Sequence, residues 1–433
     1  MTLHAFRGSA LHYLEDPLTH AEHASEFIED ALLLVEDGKI KALAPYAELR
    51  HKLEPSVKLV DYSGKLLMPG FIDLHTHYPQ TEIIASYGKQ LLDWLNNYTF
   101  PTEAKFSDAS YAKSIAELFI DELLRNGTTT AMVFATVHKA SADAFFEAAA
   151  AQNLRMIAGK VLMDRNAPAD LCDTAESGYV ESAELIEKWH GKQRLSYAVT
   201  PRFAPTSTPE QLHSAGQLLQ TYPDVYLQSH LAENHDELAW VARLFPKARD
   251  YLDAYEQAGL LGSRCVYAHG IHLSESACER LAESATVLAH CPTSNLFLGS
   301  GLFDMQRISD AGIRYALGTD VGGGTSFSMF RTLAEAYKIQ QLQQHSLHPH
   351  QSLYLATLGG ARALSLDHLI GNFLPGKEAD FIVVDPQATP LLSFRTAQCD
   401  SLTEMLFALT TLGDDRLIYA TYILGNLAYL QER

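Results

Sequence analysis

Two histidines one residue apart, His75 and His77 in "PGFIDLHTH" (69–77), close an apolar run. Alternate side chains of an extended strand share a face, so the pair sends two imidazoles to one side. Other polar residues end later apolar runs: His230 after "VYLQS", His269 after "CVYA" and Asp320 after "IRYALGT". Nitrogen and oxygen donors without thiolate suit zinc or iron(II), and a carboxylate lowers the net charge of such a site. A lone strand-terminal histidine is more commonly a hydrogen-bonded structural residue. Together, each at a strand end, these residues point to a metal-binding mouth. The remaining histidines, such as His345, His348 and His350, are expected on the surface or in loops.

The elements that would position them alternate in type. Strand-like runs occur at 66–75, 128–134, 154–162, 195–201, 225–230, 265–270, 285–290 and 313–320. Helical stretches lie between them. In "SDASYAKSIAELFIDELLRNG", Ser107 or Asp108 can cap the start. Tyr111, Ile115, Leu118 and Phe119 make an apolar stripe, and Gly127 stops the helix. "TPEQLHSAGQLLQ" starts Thr-Pro, as a helix start should. This alternation predicts an α/β fold, a (β/α)8 TIM-like barrel in which catalytic residues sit at the C-terminal ends of strands. No GxGxxG fingerprint follows the first strand, which argues against an open dinucleotide-binding sheet. Both chain ends are β-rich. "ALLLVEDGKIKAL" is a hairpin pattern across Asp37-Gly38, and "ADFIVVDP" and "RLIYATYILGNLAYL" echo it near the C-terminus. Residues 1–67 and 371–433 are therefore expected to form one composite β-sandwich domain, with residues 68–370 forming the barrel.

Composition narrows the function. The 433 residues suffice for a barrel plus an accessory domain, and 47% are hydrophobic. Fifty-two acidic against 33 basic residues give a formal charge of −19, which disfavours a nucleic-acid backbone or an anionic membrane as partner. The N-terminal segment has neither a basic region nor a long apolar one, and no apolar run reaches membrane-spanning length. Five scattered cysteines without a CxxC pair fit reduced thiols. A soluble cytoplasmic protein acting on a small molecule is the expectation.

The strings "PGFIDLHTH", "SHLAEN", "AHG", "GTD" and "GNFLPGKEADFIVVD" resemble the amidohydrolase superfamily of metal-dependent hydrolases. The narrower strings "HTHYPQ", "TPRFAPT", "SHLAEN" and "GTDVGGGTSFSM" are similar to its guanine deaminase branch. The resemblance implies that His75, His77, His230 and Asp320 hold one zinc per chain, with iron(II) as the alternative. It places His269 beside the metal-bound water or as a weak ligand, and makes Glu233 the proton shuttle, with Asp320 also catalytic. It implies that Gln80, Arg202 and Phe203, with His230 and Asp320, hold guanine. The implied reaction, a step of purine catabolism, is attack of metal-bound hydroxide on C2, giving xanthine and ammonia, in a homodimeric enzyme. Physical chemistry agrees with these roles. Zinc brings the pKa of bound water to about 7, and an adjacent carboxylate can move its proton. An arginine fork matches the adjacent acceptors O6 and N7 of guanine. Two-metal members of the superfamily use a lysine ending strand four, but "LSYAVTPRF" has none, and Lys160 is expected on strand three. A single metal follows.

Overall fold

The protein, described by a computed structural model over residues 3–20, 23–54, 57–88 and 90–432, begins in a sheet. Strand β1 (Leu3–Tyr13) pairs antiparallel with β2 (Ser25–Glu36), which turns into β3 (Lys39–Pro45). Asp37 and Gly38, at the turn, take φ values of +49° and +81°, as the Asp-Gly pair predicts. β4 (Leu59–Pro69) then runs parallel to β1.

Gly70 alone separates β4 from β5 (Phe71–His77). A Cβ at Gly70 would lie 2.1 Å from Thr129 Oγ1, so only glycine lets the chain cross so close to its neighbour. The single strand expected over 66–75 is thus two strands in different sheets, with the sheet change made at this glycine.

From β5 the barrel proceeds through β6 (Thr128–Phe134) and β7 (Arg155–Gly159); a short β8 (Val161–Leu162) precedes β9 (Ser196–Pro201). β10 (Tyr226–Leu231), β11 (Cys265–His269), β12 (Val287–His290) and β13 (Arg314–Leu317) complete it. Successive strands pair in parallel in the order β5-β6-β7-β9-β10-β11-β12-β13, with β8 paired to β9 off that path. The ends meet where Asp320 N–H donates to His75 O and His77 N–H to Val321 O, both at 2.8 Å. The expected barrel is present. Ile72, Leu74, Met132, Ile157, Ala198, Val266, Val287 and Ala316, drawn from different strands, fill its interior.

Helices cover the outside. The helix Ala109–Arg125 is capped by Asp108, whose side chain accepts from Ser110 N and Tyr111 N. Its buried face runs through Ala112, Ala116, Phe119, Ile120 and Leu123, whereas Leu118 is 47% exposed. The stripe expected from the larger apolar residues is thus rotated, because alanines let the helix pack closely on its neighbours. Gly127 follows with φ +79°.

The chain returns to the first sheet with β14 (Phe381–Val384), antiparallel to β4, then β15 (Ile418–Ile423) and β16 (Asn426–Leu430). The order β16-β15-β14-β4-β1-β2-β3 joins both chain ends in one sheet. Each neighbouring pair in this order is hydrogen-bonded, and the sheet curls enough for Phe6 of β1 to meet Phe381 and Tyr422, each at 4.9 Å. The sandwich-like layer is therefore one sheet closed over its own apolar core.

Candidate active site

At the mouth, β5 does not stay regular. Its register with β6 slips between Asp73 and Thr76. Ile72 and Leu74 face the barrel interior before the slip; after it, His75 and His77 turn to the mouth. Asp73, fully buried, holds this geometry. Its Oδ1 accepts from His75 N at 3.1 Å and Thr319 N at 3.0 Å, and its Oδ2 accepts from Thr319 Oγ1. Burial pushes the Asp73 carboxyl up to about 6. Asp73 thus ties the first strand to the segment that carries Asp320, a link with no local pattern to betray it.

Four donors converge there. His77 Nε2 lies 3.1 Å from His75 Nε2 and 3.2 Å from His230 Nε2. Asp320 Oδ1 lies 3.2 Å from His75 Nε2 and 3.4 Å from His77 Nε2. Burial drives His77 down to about 3 and His230 well below its ordinary value, so both rings are neutral. Burial would raise Asp320, but the neighbouring His75 and His77 hold it well below the usual carboxylate range. His230 Nδ1 donates to Arg202 O at 2.7 Å, which leaves Nε2 as a lone pair aimed at the cluster. Imidazole lone pairs facing one another and a carboxylate at these distances repel unless a cation lies between them. The residues therefore fit a metal ion, and three nitrogens with one oxygen suit zinc or iron(II).

Beside the cluster sits Glu233, buried just past β10. Its N–H donates to Glu237 Oε2 at 2.9 Å, and Glu237 Oε1 accepts from Tyr251 at 2.7 Å. Asn234 caps the following helix, His235–Leu244, in a capping box with Glu237. Ser300 Oγ donates to Glu233 Oε1 at 2.7 Å, and Glu233 Oε2 lies 3.3 Å from His269 Nε2. Burial, then the Asp320 charge, pushes Glu233 up to about 8. His269 and Asp320 take left-handed φ values of +71° and +52°, turning out of strand geometry at the mouth. His269 Nδ1 lies 2.8 Å from Asn295 Oδ1.

The adjoining cavity is lined by Gln80, Arg202, Phe203, Trp94, Leu91 and Leu95, together with His77, His230, Glu233, His269 and Asp320. Arg202 Nη1 donates to Glu103 Oε2 at 2.6 Å, and Gln80 Nε2 to Glu103 Oε1 at 3.3 Å. Arg202 thus belongs to a buried ion pair with Glu103. Phe203 is 4% exposed and meets Trp240 edge-on at 6.0 Å.

The residues expected at the site come together: His75 in the ligand cluster, the others around the cavity. Glu103 carries no sequence signal, whereas the apolar "LLDWL" that supplies Leu91, Trp94 and Leu95 stood legible between strand one and the next long helix. Lys160 does follow the third barrel strand, where it pairs with Asp173 at 2.7 Å and Glu181 at 3.2 Å. The expectation for the remaining histidines fails at two positions. His12 is buried against Glu26, and His290, fully buried, stacks on Phe303 at 4.5 Å with burial driving it down to about 3. Both sit on strands whose inner faces leave the ring no route to solvent.

Residues 66–428 match the Amidohydrolase family. The barrel, with its donors at the C-terminal strand ends, is the architecture of a hydrolase acting on C–N bonds, and the chain belongs to that family and, within it, to the guanine deaminases. It is 53% identical over 430 residues to a guanine deaminase of Escherichia coli K12, covering 99% of this chain and 98% of that protein. A solved E. coli guanine deaminase superposes with a TM-score of 0.97 at 53% identity, over 99% of this chain and 100% of that one. The guanine deaminase of C. acetobutylicum, solved with guanine in its active site, superposes with a TM-score of 0.90 at 31% identity, over 99% and 100%.

Proposed function

We propose that the chain hydrolyses guanine to xanthine and ammonia, a step of purine catabolism. The observation that carries this reading is one cavity that joins the donors of Arg202 and Gln80 to the buried acid Glu233 and the ligand cluster. His75, His77, His230 and Asp320 would hold a single zinc or iron(II) ion, supplying the Lewis acidity that makes water a nucleophile at neutral pH. The single-ion reading is supported by Lys160, engaged by Asp173 and Glu181 rather than turned to the cluster.

Water adds to C2 of guanine, and the bond from C2 to its amine breaks. Glu233 carries one proton of the attacking water to the ring nitrogen beside C2. It then carries the proton of the new C2 hydroxyl to the amine, which departs as ammonia as the C2 carbonyl forms. His269, 3.3 Å from Glu233 and 3.8 Å from Asp320 Oδ2, orients both carboxylates, and Asp320 shares in accepting the water's proton. Arg202 and Gln80 present N–H groups to the acceptors O6 and N7, Phe203 packs on the purine, and the wall of Leu91, Trp94 and Leu95 keeps bulk water away. Five free cysteines support a reducing, cytoplasmic setting. No helix among the described residues is long and apolar enough to cross a membrane. A homodimer, and a division into an end-sheet domain and a barrel, with the first boundary at Gly70 rather than at the expected 67/68 and the second at 370/371, complete the reading.

Incubating the purified protein with guanine, adenine and cytosine and following ammonia release tests it. Release from guanine alone is expected. Release from adenine or cytosine in preference to guanine would replace it with another ring deaminase.

A further inference from the structure

Glu103 is fully buried and does not line the cavity; it stands behind two residues that do. One oxygen takes Arg202 Nη1 and the other Gln80 Nε2, while Gln80 Oε1 accepts from Gly322 N–H at 3.2 Å. A carboxylate can only accept and a backbone N–H can only donate, so these contacts admit a single orientation of the Gln80 amide. Its nitrogen must face Glu103 and its oxygen Gly322. Gln80 is left with its second Nε2 proton and Arg202 with its unused guanidinium protons. Arginine has no acceptor in any orientation.

We propose that Glu103 is a positioning residue that sets substrate specificity: by accepting from Arg202 and Gln80 together, it fixes the recognition edge of the cavity as an array of donors. Resting on the guanine reading above, this edge selects a purine with an acceptor at position 6 and rejects one that carries an amine there. Without the Glu103 carboxylate, only the 3.2 Å bond from Gly322 N–H still holds the Gln80 amide, which can give up that one contact to turn its oxygen to the cavity and accept from such an amine. Glu103 sits on the short helix Phe100–Glu103, in the same connection that carries the apolar wall, so the one contact also draws that wall against β9.

The test compares guanine with 2,6-diaminopurine, which keeps the C2 amine and replaces O6 by an amine. Wild type is expected to prefer guanine strongly. In Glu103→Gln the preference in kcat/KM should narrow by about tenfold or more, with most of the loss in guanine KM and kcat changed by less than about threefold. Glu103→Asp, which keeps the charge but is too short to hold both partners, should narrow it in the same direction by less. Folding is read from thermal midpoints. An unchanged preference in either folded variant overturns the proposal, as does a fall in kcat alone. Failure of both variants to fold would assign Glu103 to stability and overturn it too. Wild type inert toward guanine would instead overturn the functional reading on which the proposal rests.

Discussion

The Ser300 hydroxyl donates to Oε1 of Glu233 at 2.7 Å, which decides the division of labour within that carboxyl. Oε1 is held, and Oε2, near His269 and the ligand cluster, is left to exchange protons.

Glu233→Gln keeps the shape and the Ser300 contact but removes the base. Turnover of guanine should fall by a factor of about a hundred or more. Metal content and the calorimetric affinity for guanine should stay near wild type. A variant turning over at a normal rate would place the proton shuttle on another residue.

Ser300→Ala bears on pH. The Ser300 bond favours the ionised carboxyl, against the burial that pushes Glu233 upward. Its loss raises the Glu233 pKa further. Glu233 must be ionised to accept a proton, so the acidic limb of the kcat/KM profile should move to higher pH. A limb that stays put or moves down would show that another group governs it.

Metal analysis of the purified protein should find about one tightly held transition metal per chain, and chelation should abolish guanine turnover. Replacing His77 by alanine takes away the ring closest to two other ligands and should empty the site. Full activity with two metals per chain would contradict the single-ion reading.

Gly70→Ala should destabilise the fold by about 2 kcal/mol, seen as a lower urea midpoint, because its Cβ would overlap Thr129. Adding Thr129→Gly opens the space and should recover part of the loss relative to Thr129→Gly alone. Equal midpoints for wild type and Gly70→Ala would show that the crossing relaxes without strain.

Much of the site could be read from the chain because its residues end apolar runs: the β-strand period and the barrel rule together send His75, His77, His230 and His269 to one mouth. What escaped depends on contacts distant in sequence. Glu103 meets Arg202 only once the first connection folds over the fourth barrel strand, and nothing in "FPTEAKF" marks it. Asp73 looked like one polar residue within an apolar strand, yet it binds Thr319 across the closure of the barrel. The run over 66–75 concealed a change of sheet because its hydrophobicity continues unbroken on both sides of Gly70. His290 shows the opposite error: residue type suggested solvent, but its place on barrel strand β12 buries the ring, which stacks on Phe303.

The pairing of β4 with β14 also sets an order of events at the ribosome. Leu66, Leu67, Met68 and Pro69 find their partners in Val384, Val383, Ile382 and Phe381, roughly three hundred residues later in synthesis. Until that strand emerges, the nascent chain carries β4 as an open edge directly joined to the first strand of the barrel, a surface to which other chains can add. Slow translation before residue 381 prolongs this exposure, and chaperone dependence during synthesis should rise with it.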